Sequence, residues 1–291
     1  MRMSEPEGPA APAGLAVLYA DAQLIAVEKP AGLHTTPQGR AGEDTLLGRL
    51  LERFPEIAAL PGRKPGEPGL LHRLDRGTSG VVLAARTPEA FHRLSADFAA
   101  GRVRKEYLAL CAPQAGSAPQ AGCAPQAGYA PAADLPAASG LRAASGLRPG
   151  QSFAVESRFA PFGPGRRKVR VVPAGGQDAR AERRRARRKV SPELYRTEAV
   201  VVRIRAGLAL VRAGIIRGFR HQVRAHLAQL GLPIVGDPLY GTPVPRGAGQ
   251  RLYLHASAVE LVHPASGAKL RIHSPLPPDF ALCYGEDCGG T

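Results

Sequence analysis

The stretch LLHRLDRGTSGVVLAA, Leu70 to Ala85, decides how the rest of this chain is read. Its second half, Val81 to Ala85, is a short, fully apolar run bounded by a glycine, which predicts a buried strand. Its first half sets one carboxylate, Asp75, between Arg73 and Arg76 and just ahead of a Gly-Thr-Ser-Gly turn. The bland reading is a surface turn in which Asp75 accepts hydrogen bonds from the Gly-Thr-Ser backbone. The alternative is an acid kept for chemistry.

Working outward, strand and helix patterns alternate without strict order. LAVLYADAQLIAVEKPAGL, ahead of the stretch, predicts two strands around the turn Ala20-Asp21, closing at Lys29-Pro30. Behind it, Thr87 caps a helix with Pro88 in its first turn; Phe91, Leu94 and Phe98 form one stripe, and Gly101 ends it. RVRKEYLAL predicts another strand, and TEAVVVRIRAGLALVRA a hairpin turning at Ala206-Gly207. GFRHQVRAHLAQLG predicts a helix with Phe219, Val223, Leu227 and Leu230 on one face and Gly231 as the stop. Strands outnumber helices, so the expected class is α+β, a mixed, largely antiparallel sheet flanked by helices around a central cleft.

The 291 residues are 44% hydrophobic, enough for a substantial core, and carry 39 Lys and Arg against 24 Asp and Glu. A formal charge of +15 points to a polyanionic partner, most commonly nucleic acid. No apolar run reaches the roughly 18 residues of a membrane span, and MRMSEPEGPAAPAG lacks a signal-peptide core, so a cytoplasmic protein is expected. Residues 1–14 are expected as a disordered leader and 286–291 as a flexible tail. From Ala112 the sequence runs APQAGS, APQAGC, APQAGY and then repeats AASGLR, which predicts a low-complexity insert at 112–150 with no face to bury. A second polar stretch, 174–190, crowds Arg183, Arg184, Arg185, Arg187, Arg188 and Lys189 together, either a solvated loop or a phosphate-contacting arm.

Metal and nucleotide signatures are missing. Cys283 and Cys288 have no second pair to complete four ligands, and His221 and His226 are five apart rather than the four of an HEXXH pair. Neither a Walker loop nor a G-x-G-x-x-G turn occurs, so no metal and no cofactor is expected.

Three segments stand out together: HRLDRGTSG at His72–Gly80, RKEYLAL at Arg104–Leu110 and GFRHQVRAHLAQLGLPIVGDPLYG at Gly218–Gly241. In this order they resemble the RluA family of RNA pseudouridine synthases. The Lys-Pro turn ahead of them and the closing LYLHASAVELVHPASGAKLRIHSPLP extend the likeness over roughly 15–285 apart from the insert. The resemblance implies a cofactor-free isomerase of uridine in ribosomal or transfer RNA, acting as a monomer, with Asp75 as its catalytic carboxylate. It implies Arg224 as the ionic partner of Asp75 and Tyr107 as a ring that stacks on uracil and takes part in proton transfer. It places Arg73 where an arginine can fill the gap left by an everted base, and adds Arg76, Arg220 and His221 as RNA contacts.

The sequence departs from the family wording at one point. Gly218-Phe219-Arg220-His221-Gln222 stands where many members have Gly-Arg-Thr-His-Gln, so the arginine is displaced by one and Phe219 takes its position. On a helix, Arg220, His221 and Arg224 would share one turn. Two other functions stay open on sequence alone: a noncatalytic basic RNA-binding or ribosome-assembly protein, and a glycosidase, although hydrolysis usually needs two placed acids and only one is evident. Many members carry a small RNA-binding domain ahead of the catalytic one. Here the catalytic motifs begin near residue 15, which predicts that RNA shape is read by the catalytic domain itself, a weak preference for a compact stem-loop.

Overall fold

The computed structural model describes residues 15–39, 42–113, 147–174, 190–241 and 251–280. Ten strands form one sheet: β1 (Ala16–Ala20), β2 (Leu24–Lys29), β3 (Ser79–Ala85), β4 (Arg104–Cys111), β5 (Ser152–Phe162), β6 (Lys168–Pro173), β7 (Tyr195–Arg205), β8 (Leu208–Ile215), β9 (Leu254–Val262) and β10 (Lys269–His273). Their order is β1-β2-β3-β9-β4-β8-β7-β5-β6, with β10 beside β9. Among the described residues three α-helices accompany it: α1 (Leu46–Arg53), α2 (Pro88–Ala99) and α3 (Gln222–Gln229). Among the described residues, no helix is long and apolar enough to cross a membrane.

Strand β3 explains the apolar run that opened the sequence. Val82 and Ala84 face the main core, whereas Val81, Leu83 and Ala85 join a second cluster with Phe91 and Leu94 of α2. A strand buried on both faces has no position to spare for a polar residue. At its start it meets β9 in parallel, Ser79 opposite His255 and Gly80 opposite Ala256. Gly80 has φ +113°, and a Cβ there would lie 2.2 Å from the Ala256 carbonyl oxygen. The last residue of HRLDRGTSG is therefore glycine because two backbones touch, and this contact joins the two halves of the sheet.

The other expected elements form largely as drawn. Thr87 Oγ1 accepts from the Ala90 N–H to start α2, and β7 and β8 turn at Ala206 and Gly207, both with positive φ. The helix expected from Gly218 starts later. His221 takes φ +57°, Gln222 N–H bonds to the Phe219 carbonyl, and the Gln222 side chain accepts from Phe219 N–H, so a tight turn precedes α3. Phe219 consequently leaves the Val223–Leu227–Leu230 face. It stacks on Phe159 at 4.9 Å and touches Tyr195 at 5.0 Å, in a small cluster beneath β5 and β6.

Most of the expected insert and the basic stretch lie outside the described residues, as do the leader, the tail, Cys283 and Cys288. The ends of the insert belong to the fold: the Ala112 N–H bonds to Pro233, Leu147 is buried in the main core, and the Gly150 N–H bonds to Val201.

Candidate active site

Two loops and a helix converge on one cavity of about 1700 Å³. The loop bearing Asp75 is tied to the Lys-Pro turn by several bonds. Thr35 Oγ1 donates to the Leu74 carbonyl at 2.8 Å and accepts from Leu74 N–H, while Gly32 N–H bonds to the Arg76 carbonyl. Lys29, fully buried, donates to the carbonyls of Pro30, Leu33 and Arg76 at 2.8, 2.7 and 3.1 Å. Its three N–H bonds are thereby used to hold backbone. Burial lowers its pKa to about 7, with the Asp75 charge working the other way.

The turn reading of Asp75 accounts only for its backbone. Thr78 N–H bonds to the Asp75 main-chain carbonyl, but the side chain points to Arg224, whose Nη1 lies 2.9 Å from Oδ2. His221 Nε2 is 3.7 Å from the same oxygen. Among the described residues nothing donates to Oδ1, and the Asp75 side chain is 29% exposed against 6% for Arg224. One oxygen is anchored and the other is left to the cavity.

Arg224 is shared. Its Nε and Nη2 make a bidentate pair with Asp237, both at 2.7 Å, and Asp237 Oδ1 also accepts from the Leu239 and Tyr240 N–H groups. Burial opposes the Arg224 charge, yet the two carboxylates outweigh it and hold its pKa above the ordinary arginine value. For Asp237, burial would raise the pKa, but Arg224 and the two N–H groups keep it below the usual carboxylate range. The sequence showed one acid; the structure places a second behind the arginine. Asp237 is fully buried with both oxygens occupied, so it positions Arg224 and does not supply the second exposed acid that a hydrolase would use. Its only sequence signal was an acid inside the otherwise apolar, glycine-punctuated GLPIVGDPLYG.

Tyr107 reaches the same cavity from β4 and is 8% exposed. Burial, followed by the nearby Asp75 charge, pushes its phenol above the ordinary value, so it remains protonated at neutral pH. His221 lies in the turn before α3, its Nδ1 3.2 Å from the Tyr240 hydroxyl. Burial lowers its pKa, against the pull of Asp75.

The four expected RNA contacts all line the cavity, on different supports. Arg73, 42% exposed, is paired with Glu67 at 2.7 Å rather than with Asp75. Arg76 donates from Nε to the Gly32 carbonyl. Arg220 is not on the helix with Arg224; its Nη2 reaches the Arg166 and Lys168 carbonyls at the β5–β6 turn, 2.6 and 3.3 Å away. The same tight turn that moves Phe219 separates Arg220 and His221 from the α3 face. His226 is structural: its two ring nitrogens meet Ser157 and Thr197 hydroxyls, each at 2.8 Å. Among the described residues there is no His, Cys, Asp or Glu cluster able to hold a metal ion.

With the geometry established, the likeness to known proteins can be placed on it. Residues 23–229 match the family model of RNA pseudouridylate synthases. The chain is 31% identical over 278 residues to ribosomal large subunit pseudouridine synthase D of Pseudomonas aeruginosa, covering 91% of this chain and 69% of that protein. It is 32% identical to the protein of the same name from Xanthomonas campestris, over 91% of this chain and 67% of the other. A solved human structure, RNA pseudouridylate synthase domain containing 1, superposes with a TM-score of 0.60 at 21% identity, covering 96% of this chain and 91% of that one; this supports the fold alone. The chain belongs to the RNA pseudouridine synthases, within the RluA family, and is an isomerase acting on RNA.

Proposed function

We propose that the enzyme isomerises uridines of structured large-subunit ribosomal RNA, with Asp75 as its essential carboxylate. The observation that carries the catalytic part is the Asp75 side chain itself: Oδ2 held by Arg224 at 2.9 Å, Oδ1 open to a cavity that Tyr107 also lines. The ribosomal target is favoured by the names of the two relatives.

In this reading the target uridine leaves its stack, at a cost of a few kcal/mol, and enters the cavity while Arg73 occupies the vacated space. The C1′–N1 bond breaks, the base turns, and C1′ bonds to C5; N1 gains a proton and C5 loses one, so the composition is unchanged. Asp75 meets the electron demand at the ribose by attack or by taking a proton from it. Arg224 orients the carboxylate, and Tyr107 holds the base and relays a proton. Residues 15–285 act as one catalytic domain carrying an insert at 112–150 and a basic arm at 174–190.

The test is incubation with transcribed large-subunit ribosomal RNA and, separately, a transfer RNA pool, scoring pseudouridine by position-resolved chemical derivatisation. Wild type should form it in the ribosomal RNA. Asp75→Asn should fold and bind RNA while turnover falls at least about 10³-fold. Near-normal turnover by that variant removes the acid from the mechanism; modification confined to the transfer RNA removes the proposed target.

A further inference from the structure

Lys105 lies two residues before Tyr107 on β4, on the same face of the strand and about 7 Å along it. It is 7% exposed, lines the cavity, and has no carboxylate partner among the described residues. The charged groups around it are basic: burial first, and then the Arg63 charge, lower its pKa to about 8. A buried ammonium without an acid is costly unless something anionic meets it.

The surroundings are shaped for that ammonium. Its Nζ sits 5.6 Å from the centre of the Phe98 ring, and the same ring meets His72 at 5.5 Å, tilted by 31°. His72 Nε2 accepts from the Leu83 N–H, so the neutral ring carries its proton on Nδ1, and that atom is buried without a partner. Gly218 also borders the ammonium. A Cβ there would come 2.8 Å from Lys105 Nζ, and the Gly218 backbone lies outside the left-handed region, so its lack of a side chain matters for space and not for backbone freedom.

We propose that Lys105 and Arg63 form a phosphate subsite for the phosphodiester next to the everted uridine. The inference rests on the reading of Tyr107 as the residue that holds the base. Base and phosphate of one nucleotide are separated by roughly the 7 Å between alternate strand positions, and of the two same-face neighbours of Tyr107, Lys105 carries a charge whereas Ala109 does not. A phosphate there supplies the negative charge that the protein itself omits, and its arrival restores the full charge of the lysine. The subsite would thus recognise the backbone of the flipped nucleotide regardless of sequence.

The probes are a uridylate trimer and its methylphosphonate counterpart, in which the linkages are neutral, with equilibrium binding measured over a range of salt. Lys105→Met should bind the uridylate trimer about tenfold more weakly than wild type. Its plot of log affinity against log salt should be shallower by about 0.7, the share of one phosphate on a single strand. The neutral trimer should not distinguish the two proteins. Gly218→Ala, which keeps the lysine and crowds its ammonium, should show the same selective loss, and it carries the comparison alone if Lys105→Met fails to fold. The proposal is overturned if both variants match wild type, if they lose both trimers equally, or if wild type does not bind the uridylate. Turnover of Asp75→Asn is read in the separate assay on ribosomal RNA, so the subsite and the catalytic carboxylate can fail separately.

Discussion

Arg224 and Lys105 are both buried cations on one cavity, and they are held in opposite ways. Arg224 has two carboxylates, Asp237 by two bonds and Asp75 by one, and its pKa is raised. Lys105 has an aromatic ring, a second cation and a glycine, and its pKa is lowered. The difference separates fixed from waiting charge. A cation saturated by acids belongs to the scaffold and orients what it touches; a desolvated cation without an acid is poised to take one from a ligand. Lys29 is an intermediate case, desolvated like Lys105 but with all three donors bound to backbone carbonyls.

The harshest way to break this contrast is Arg224→Met. It strands the fully buried Asp237 charge and should lower stability by about 3–5 kcal/mol, measured by urea unfolding. If the loss is below about 1 kcal/mol, Arg224 is not the scaffold cation described. Next comes pH. Lys29 and Lys105 have folded pKa values of about 7 and about 8, below the unfolded value near 10.4. Between those limits the unfolded chain binds more protons, so stability should rise with pH, by up to about 1.4 kcal/mol per unit for each lysine. Below about pH 7 both states are protonated and the slope from these groups vanishes. Lys105→Met should flatten the profile above pH 8, as followed by chemical unfolding in buffers from pH 7 to 10. The smallest effect concerns the Arg73–Glu67 pair, an exposed arginine on a buried glutamate. Arg73→Gln, which takes the cation from the buried Glu67 carboxylate, should lower stability by about 1–3 kcal/mol while slowing turnover on folded RNA more than on single strands, because its proposed work is to fill a gap in a stack. Equal slowing on both would remove that role.

Much of this could be read from the chain because it is local. The period of VVLAA, the Thr87-Pro88 cap and the Ala206-Gly207 turn each depend on a few consecutive residues, and each appears where expected. The site was legible as three strings, and Asp75, Tyr107 and Arg224 do share one cavity. What escaped was pairwise and distant. Arg73 and Arg76 flank Asp75 in sequence, yet the acid pairs with Arg224, 149 residues on, while Arg73 turns to Glu67. The helix face proposed for Phe219 failed because one residue, His221, adopts a left-handed backbone; the ring then found Phe159 and Tyr195.

By itself the sequence determined several local elements, the basic character and the chemistry available at each position, since these follow from residue type, spacing and backbone preference; it did not announce α1, β5 or β6. Only the tertiary structure decided which cation is neutralised and which is left open. That choice depends on burial and on carboxylates brought from far along the chain, and neither desolvation nor a through-space charge leaves a mark on neighbouring residues.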